Sequence, residues 1–153
     1  MADLQVREAT PADLPAVGTA WSHLQEFHQG LGLAFPVDSE KWLASFQRTL
    51  GRFSFLWVVG EAGKPVAFLL ARVKQSPAFL GGMQVGEISD LYVDESLRGS
   101  GAGTQLVEAA MRKLQELGVH SVEVQIQAGN EAGLDFWIKQ GFKPDLTLVR
   151  KVL

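Results

Sequence analysis

The chain is 153 residues long, with 46% hydrophobic and 20% charged residues and a formal net charge of -3. That size and balance describe one domain, residues 1–153, with a core of its own, and they exclude a disordered or collagen-like chain. The sequence holds no cysteine, which excludes a disulfide framework, a thiolate zinc site, an iron–sulfur cluster and a cysteine nucleophile.

Leu4–Ala9 reads as a short strand. Thr10-Pro11-Ala12-Asp13 reads as a helix start, with Thr10 as the N-cap and Pro11 at the first helical position. Leu14, Val17, Trp21, Leu24 and His28 follow at spacings of three and four, one face of an amphipathic helix that Gly30-Leu31-Gly32 ends. Asp38 or Ser39 caps a second helix, with Trp42, Leu43, Phe46 and Leu50 on one side. The period then changes to that of strands at Phe53–Val59 and Pro65–Lys74, joined by a hairpin turn at 60–64, and again at Gln84–Val93. Gly101–Leu117 carries a helical stripe through Leu106, Val107, Ala110 and Leu114, closed by Gly118. Val119–Ile126 alternates as a strand. Asn130 caps a last helix, with Leu134, Trp137 and Ile138 inside and Gly141 as its stop, and Leu146–Val152 reads as a closing strand.

The order is β-α-α-β-β-β-α-β-α-β. The central hairpins require antiparallel pairing, and the helical crossover from Gln84 to Ile126 requires a parallel pair. The expected fold class is α+β, a mixed, mostly antiparallel central sheet with helices on both faces.

No long basic patch stands out, so nucleic acid is not an expected partner. The opening residues show no basic stretch followed by an apolar one, so no signal peptide is expected. The longest apolar runs, Phe55–Val59 and Val66–Ala71, fall far short of a membrane span, so no membrane association is expected. Together with the missing cysteines this fits a cytoplasmic protein.

The most informative stretch runs from Glu87 to Thr104. A strand passes through a short loop into Arg98-Gly99-Ser100-Gly101-Ala102-Gly103-Thr104, and that turn opens a helix. The first N–H groups of a helix have no partner inside it. Glycine lets backbone approach a ligand closely, and the helix dipole and the Arg98 fork both favour an anion. The combination describes a cradle for a pyrophosphate. A dinucleotide fold is a poor match, because the glycines read G-x-G-x-G and five residues, Asp94–Arg98, separate them from the strand. The acidic residue about 20 positions on would be Glu123, in mid-strand. A P-loop lacks its Gly-Lys-Ser/Thr.

Arg98-Gly99-Ser100-Gly101-Ala102-Gly103 resembles the R/Q-x-x-G-x-G/A motif of the GCN5-related N-acetyltransferases, the GNAT family. Asn130 through Gly141-Phe142 resembles that family's second segment, which begins at an Asn and ends in Gly-Phe. The element order agrees too, with the family's pattern adding one further strand at the end (β-α-α-β-β-β-α-β-α-β-β).

The resemblance implies an acetyl-CoA-dependent N-acetyltransferase acting on a primary amine of a small molecule or peptide, with no metal. It places the pyrophosphate on the amides of Gly99, Ser100, Gly101, Ala102, Gly103 and Thr104 beside Arg98. It pairs the pantetheine arm with the backbone of Leu91 and Val93, which requires strand 84–93 to splay from strand 119–126. It brings Asn130 to the other side of that arm, where the alternative is a plain N-cap. It sets the oxyanion against a backbone N–H near Leu91 or Tyr92. It gives Glu87 the general-base role, the alternative being a solvated strand residue. Asp90 is the weaker candidate, because strict alternation puts it on the opposite face unless a bulge intervenes. The family's leaving-group tyrosine is here Trp137, which either walls the thioester pocket or packs in the core. An indole cannot usefully give up its proton, so protonation by water is expected. The acceptor pocket falls to Trp21–Val37, with Trp21, His28, Phe35 and Pro36. A homodimer is common in that family. The other readings of the same fold are an acyl-CoA-binding sensor or scaffold without turnover, and transfer of a longer acyl chain.

Overall fold

A computed structural model of the chain describes residues 5–153; Leu4, the first residue of the expected opening strand, lies outside them. Strand β1 (Val6–Glu8) leads through a 3-10 turn at Pro11–Asp13 into α1 (Leu14–Gly30), and α2 (Ser39–Gln47) follows. Strands β2 (Ser54–Glu61), β3 (Lys64–Gln75) and β4 (Gln84–Val93) come next, then α3 (Ala102–Glu116), β5 (Ser121–Val124) and α4 (Glu131–Lys139). The five strands form one sheet in the order β1-β2-β3-β4-β5. All neighbours are antiparallel except β4 and β5, which are parallel. The mixed α+β architecture is the one the sequence pattern implies.

Local chemistry explains where the elements begin. Pro11 suits a first helical turn, where its missing N–H costs nothing, but that turn is 3-10 and α1 proper starts at Leu14. The Asp38 side chain accepts from the Lys41 N–H at 3.1 Å and starts α2. The Asp13 carboxylate is fully buried and receives five donors: Arg7 Nη1 and Nη2 at 2.8 and 2.9 Å, the Thr10 N–H at 2.8 Å, the Thr10 hydroxyl at 3.1 Å and the Gly63 N–H at 2.9 Å. One side chain thus binds β1, the start of α1 and the β2–β3 turn together.

Alternation along the strands divides the core between the two faces of the sheet. Trp57, Leu69, Ile88, Leu106, Leu114 and Trp137 belong to the face covered by α3 and α4. Val17, Trp21, Phe46, Leu56, Phe68 and Leu70 belong to the face covered by α1 and α2. Gly86 permits the closest approach on the first face, since a β-carbon there would stand 2.9 Å from Leu114 Cδ1.

Two expectations are corrected. The strand expected over Leu146–Val152 does not form: the segment after Phe142 joins no ladder, and its apolar side chains lie exposed. The Arg150 guanidinium instead lies over the Phe35 ring, 4.7 Å from its centroid. The pattern also put Leu134 and Ile138 inside with Trp137, yet only Trp137 is buried. With no closing strand beside β5 among the described residues, Leu134 and Ile138 stay 39% and 47% exposed.

Candidate active site

The site is built on the second half of β4. Pairing between β4 and β5 covers only Val85–Ile88 against Ser121–Val124. Beyond Ile88 the strands part, as the sequence reading required. The Asp94 N–H donates to Val66 O at 2.8 Å, so Asp94, Tyr92 and Asp90 turn their main-chain groups toward β3. Leu91 and Val93, alternating with them, turn theirs into the parted cleft. An extended ligand there would be received as a strand. Of the two oxyanion candidates, Leu91 has its N–H on the cleft side and Tyr92 does not.

The cleft leads to the glycine turn. Gly99 and Gly101 both adopt positive φ, +80° and +88°, and a β-carbon at either would meet nothing within 4 Å. The Arg98 and Ser100 N–H groups are used locally, donating to Glu95 O and Leu97 O, and Ala102 N–H reaches Ser100 Oγ at 3.4 Å. The amides of Gly99, Gly101, Gly103 and Thr104 have no acceptor among the described residues. Four of the six amides expected to form a cradle are therefore without a protein acceptor among the described residues. Arg98 is exposed beside them.

Helix α4 closes the other side. The Asn130 side chain accepts from the Gly133 N–H at 3.0 Å, which makes it the N-cap. Two residues that the sequence reading passed over hold α4 to the cradle. Gln140 Nε2 donates to Thr104 Oγ1 at 3.2 Å, and the Phe136 ring stands 3.5 Å from where a Gly103 β-carbon would be. Trp137 is 6% exposed and packs edge-on against Phe136 and Phe142. Protein takes nearly all its surface, so the core-packing alternative describes its place.

On the opposite face lie the carboxylates. The β3–β4 register pairs Arg72 with Glu87, Ala71 with Ile88, and Leu70 with Asp90. Ser89 is therefore an extra residue, a bulge. It brings Glu87 and Asp90 onto the same face, that of α1 and α2. Nothing in the composition around Ser89 signals a bulge, so alternation alone misplaced Asp90. The Glu87 carboxylate accepts from Lys74 Nζ at 2.9 Å, and Lys74 also pairs with Glu123. Glu123 and then Glu87 raise Lys74 above its ordinary pKa.

Asp90 lies deeper. Its Oδ1 accepts from Trp21 Nε1 at 3.1 Å, and Trp21 stacks on Trp42 with centroids 4.9 Å apart. Burial pushes the Asp90 carboxyl up to about 6, and the Glu87 charge adds to the rise; the Trp21 and Trp42 indoles and Arg72 act the other way. A carboxyl poised near neutrality beside a cleft suits a proton acceptor. In the expected acceptor region, His28 is a packed residue. Its Nδ1 lies 3.2 Å from Gln25 Oε1, and burial lowers its pKa. Phe35 lies half-exposed in the α1–α2 connection.

Comparison with known proteins bears on the family and the fold. A mycothiol acetyltransferase from Amycolatopsis mediterranei (strain U-32) is 31% identical over 83 residues, 54% of this chain and 28% of that protein. An uncharacterized N-acetyltransferase, MJ1207, from Methanocaldococcus jannaschii is 30% identical over 81 residues, 53% of this chain and 35% of that protein. The matched part spans about a third or less of these relatives' own length. Among solved structures, a tetramutant of the BH1408 protein from Bacillus halodurans superposes with a TM-score of 0.82 at 26% identity. That match covers 98% of this chain and 100% of the other, and so takes in most of the segment after Phe142. An acetyltransferase from Trypanosoma brucei superposes with a TM-score of 0.72 at 25% identity, over 99% of this chain and 100% of that one. The sequence profile of the acetyltransferase (GNAT) family matches residues 20–142, most of the length on which cleft, cradle and carboxylates are built, and the chain belongs to that family.

Proposed function

We propose that this chain is an N-acetyltransferase that moves the acetyl group of acetyl-CoA to a primary amine of a small molecule or peptide. The observation that carries the reading is the continuity of the parted β4–β5 edge with the unpaired amides at the start of α3. Leu91 and Val93 would hold the pantetheine arm by their main chain. Gly99, Gly101, Gly103, Thr104 and the Arg98 fork would hold the pyrophosphate, and Ser100 and Ala102 shape the turn between them. Asn130 would contact the arm from the α4 side with the amide nitrogen its cap leaves over. The space at Gly99 and Gly101, where a β-carbon meets nothing, fits such a ligand.

Acetyl-CoA supplies an acyl group activated as a thioester. The protein's share is position and proton transfer. The amine lone pair attacks the carbonyl carbon, the C–S bond breaks, and one N–H proton goes to a carboxylate on β4. Asp90 is the better-prepared acceptor, being desolvated and fixed by Trp21. Glu87 lies on the same face, and its charge raises the proton affinity of Asp90. The Leu91 N–H would bear on the negative charge growing at the carbonyl oxygen, a contribution of about 3 kcal/mol when well aimed. Water protonates the departing thiolate, since Trp137 lies in the core.

The test is calorimetric titration with coenzyme A, followed by thiol release from acetyl-CoA over a panel of amines. Tight binding with amine-dependent thiol release is expected. Binding without turnover for any amine would favour the sensor or scaffold reading, which the burial of Trp137 makes the second choice.

A further inference from the structure

A primary amine already stands on the face of the two carboxylates, and it belongs to the protein. Lys74 of β3 reaches across two strands: its Nζ donates to Glu87 Oε2 of β4 at 2.9 Å and pairs with Glu123 of β5. Among the described residues no other lysine is paired with a carboxylate. Glu87 is shared further, since its Oε1 accepts from the hydroxyl of Ser89, the bulge residue, at 3.4 Å. Glu87 and Glu123 are themselves a cross-strand pair, and the next pair, Ile88 with Val124, is the last before β4 and β5 part. The Lys74 amine therefore lies at the closed end of the cleft.

That end is where an acyl group would arrive. A ligand whose pyrophosphate rests on the glycine turn beyond Val93, and whose arm runs past Val93 and then Leu91, carries its thioester toward Ile88. The Lys74 side chain keeps 46% of its surface exposed, so its amine can turn to such a ligand by rotation about its own stem. We propose that Lys74 is a self-acetylation site, taking one acetyl group from acetyl-CoA held by the same chain when no other acceptor is present. The inference rests on the acetyl-transfer reading above.

The Lys74 ammonium first gives one proton to water. The Nζ lone pair attacks the acetyl carbonyl carbon, the N–C bond forms, and the C–S bond breaks with its electron pair on sulfur. The second N–H proton passes to Glu87 and on through water to the thiolate, so one thiol and one proton are released. Glu123 and Glu87 hold the amine charged, which slows the step about tenfold for each pH unit between the solution and the amine's pKa. Tethering acts the other way, since a well-oriented group reaches an effective concentration of about 10⁵ M or more. The outcome is one slow event per chain. The amide it leaves carries no charge, so Glu87 and Glu123 lose their shared cation and open to the ammonium of an incoming amine.

The experiment incubates the full chain with acetyl-CoA and no added amine. Intact mass and peptide mapping follow the acetyl group, and calorimetry with coenzyme A is run on the same protein. One acetyl group on Lys74 is expected, gained at least about tenfold faster than at any other lysine, with a rate constant independent of protein concentration. Excess coenzyme A should suppress the gain at Lys74 and leave the other lysines unchanged. K74R, which keeps a cation between the two carboxylates, should lose the fast event and retain its coenzyme A affinity. Tight coenzyme A binding with Lys74 no faster than the other lysines would overturn this proposal and leave the acetyl-transfer reading standing. Absence of coenzyme A binding would overturn both. A rate constant that rises with protein concentration would mean transfer between copies, and would overturn the proposal equally.

Discussion

The indole Nε1 of Trp21 donates to Asp90 Oδ1 at 3.1 Å, joining the middle of α1 to the second half of β4 across 69 positions of sequence. The bond exists because Ser89 is inserted in the β3–β4 register and turns Asp90 toward α1. It fixes a carboxyl that burial holds near pH 6.

The first prediction concerns that carboxyl. A base that must be ionised gives a rate that rises with pH through its pKa, here about 6. Asp90→Asn should lower kcat by about 10²-fold or more and abolish this limb, with acetyl-CoA affinity unchanged. Trp21→Phe removes a hydrogen bond that favours the ionised form, so the limb should move to higher pH. Rate profiles of the two variants check both statements.

Glu87 has a separate signature. Glu87→Gln removes a negative charge that raises the Asp90 pKa, so the limb should move to lower pH while acetyl-CoA binding stays. If Glu87 is itself the base, the limb should vanish in Glu87→Gln and persist in Asp90→Asn. The pair of profiles therefore tells the two carboxylates apart.

The cradle is tested at Gly101. Gly101→Glu puts a carboxylate at the mouth of α3 and should abolish coenzyme A binding by calorimetry. Positive φ at this residue disfavours any side chain by about 1–2 kcal/mol. Gly101→Ala is the matched control: it should lower stability by that amount and retain measurable binding.

Stability should show two opposed pH dependences. The Arg7 guanidinium, with the Thr10 and Gly63 amides, holds Asp13 well below the usual carboxylate range. Its contribution is present above the unfolded pKa of about 4 and is lost as pH falls further. Arg7→Ala should cost about 3 kcal/mol at pH 7, because it leaves a buried carboxylate short of its main partner. Asp90 acts in the other direction. Its raised pKa makes ionisation costly in the folded state, so its contribution falls as pH rises from about 4 to about 6. Asp90→Asn should therefore raise Tm at pH 7 and leave it little changed at pH 4, as thermal melts at both values would show.

Much of this was legible in the chain. Strand β4 begins and ends where its pattern says, because a run of strand-forming residues flanked by turn signals leaves little freedom. The N-caps at Asp38 and Asn130 were readable because each side chain satisfies a donor three residues on. The tight turn before α3 was readable because Gly99 and Gly101 take positive φ, a backbone need that glycine answers. The face of Asp90 was not, because a bulge is a property of two strands in register. The two contacts that seat α4, Gln140 on Thr104 and Phe136 on Gly103, were hidden for the same reason: each joins residues more than thirty positions apart. Leu134 and Ile138 were read as inside, and Leu146–Val152 as a strand, because they carry those patterns; the fold leaves the first two partly exposed and the last unpaired.

The extra residue at Ser89 falls immediately after the last β4–β5 pair, Ile88 with Val124. A bulge bends the strand that carries it, so one residue both reorients a carboxylate and keeps two strands from zipping shut. A chain shortened by that residue would retain its alternation, close the gap and melt at a higher temperature. On the proposed function it would also lose the place for a thioester, and the opening would then be a cost in stability carried for chemistry.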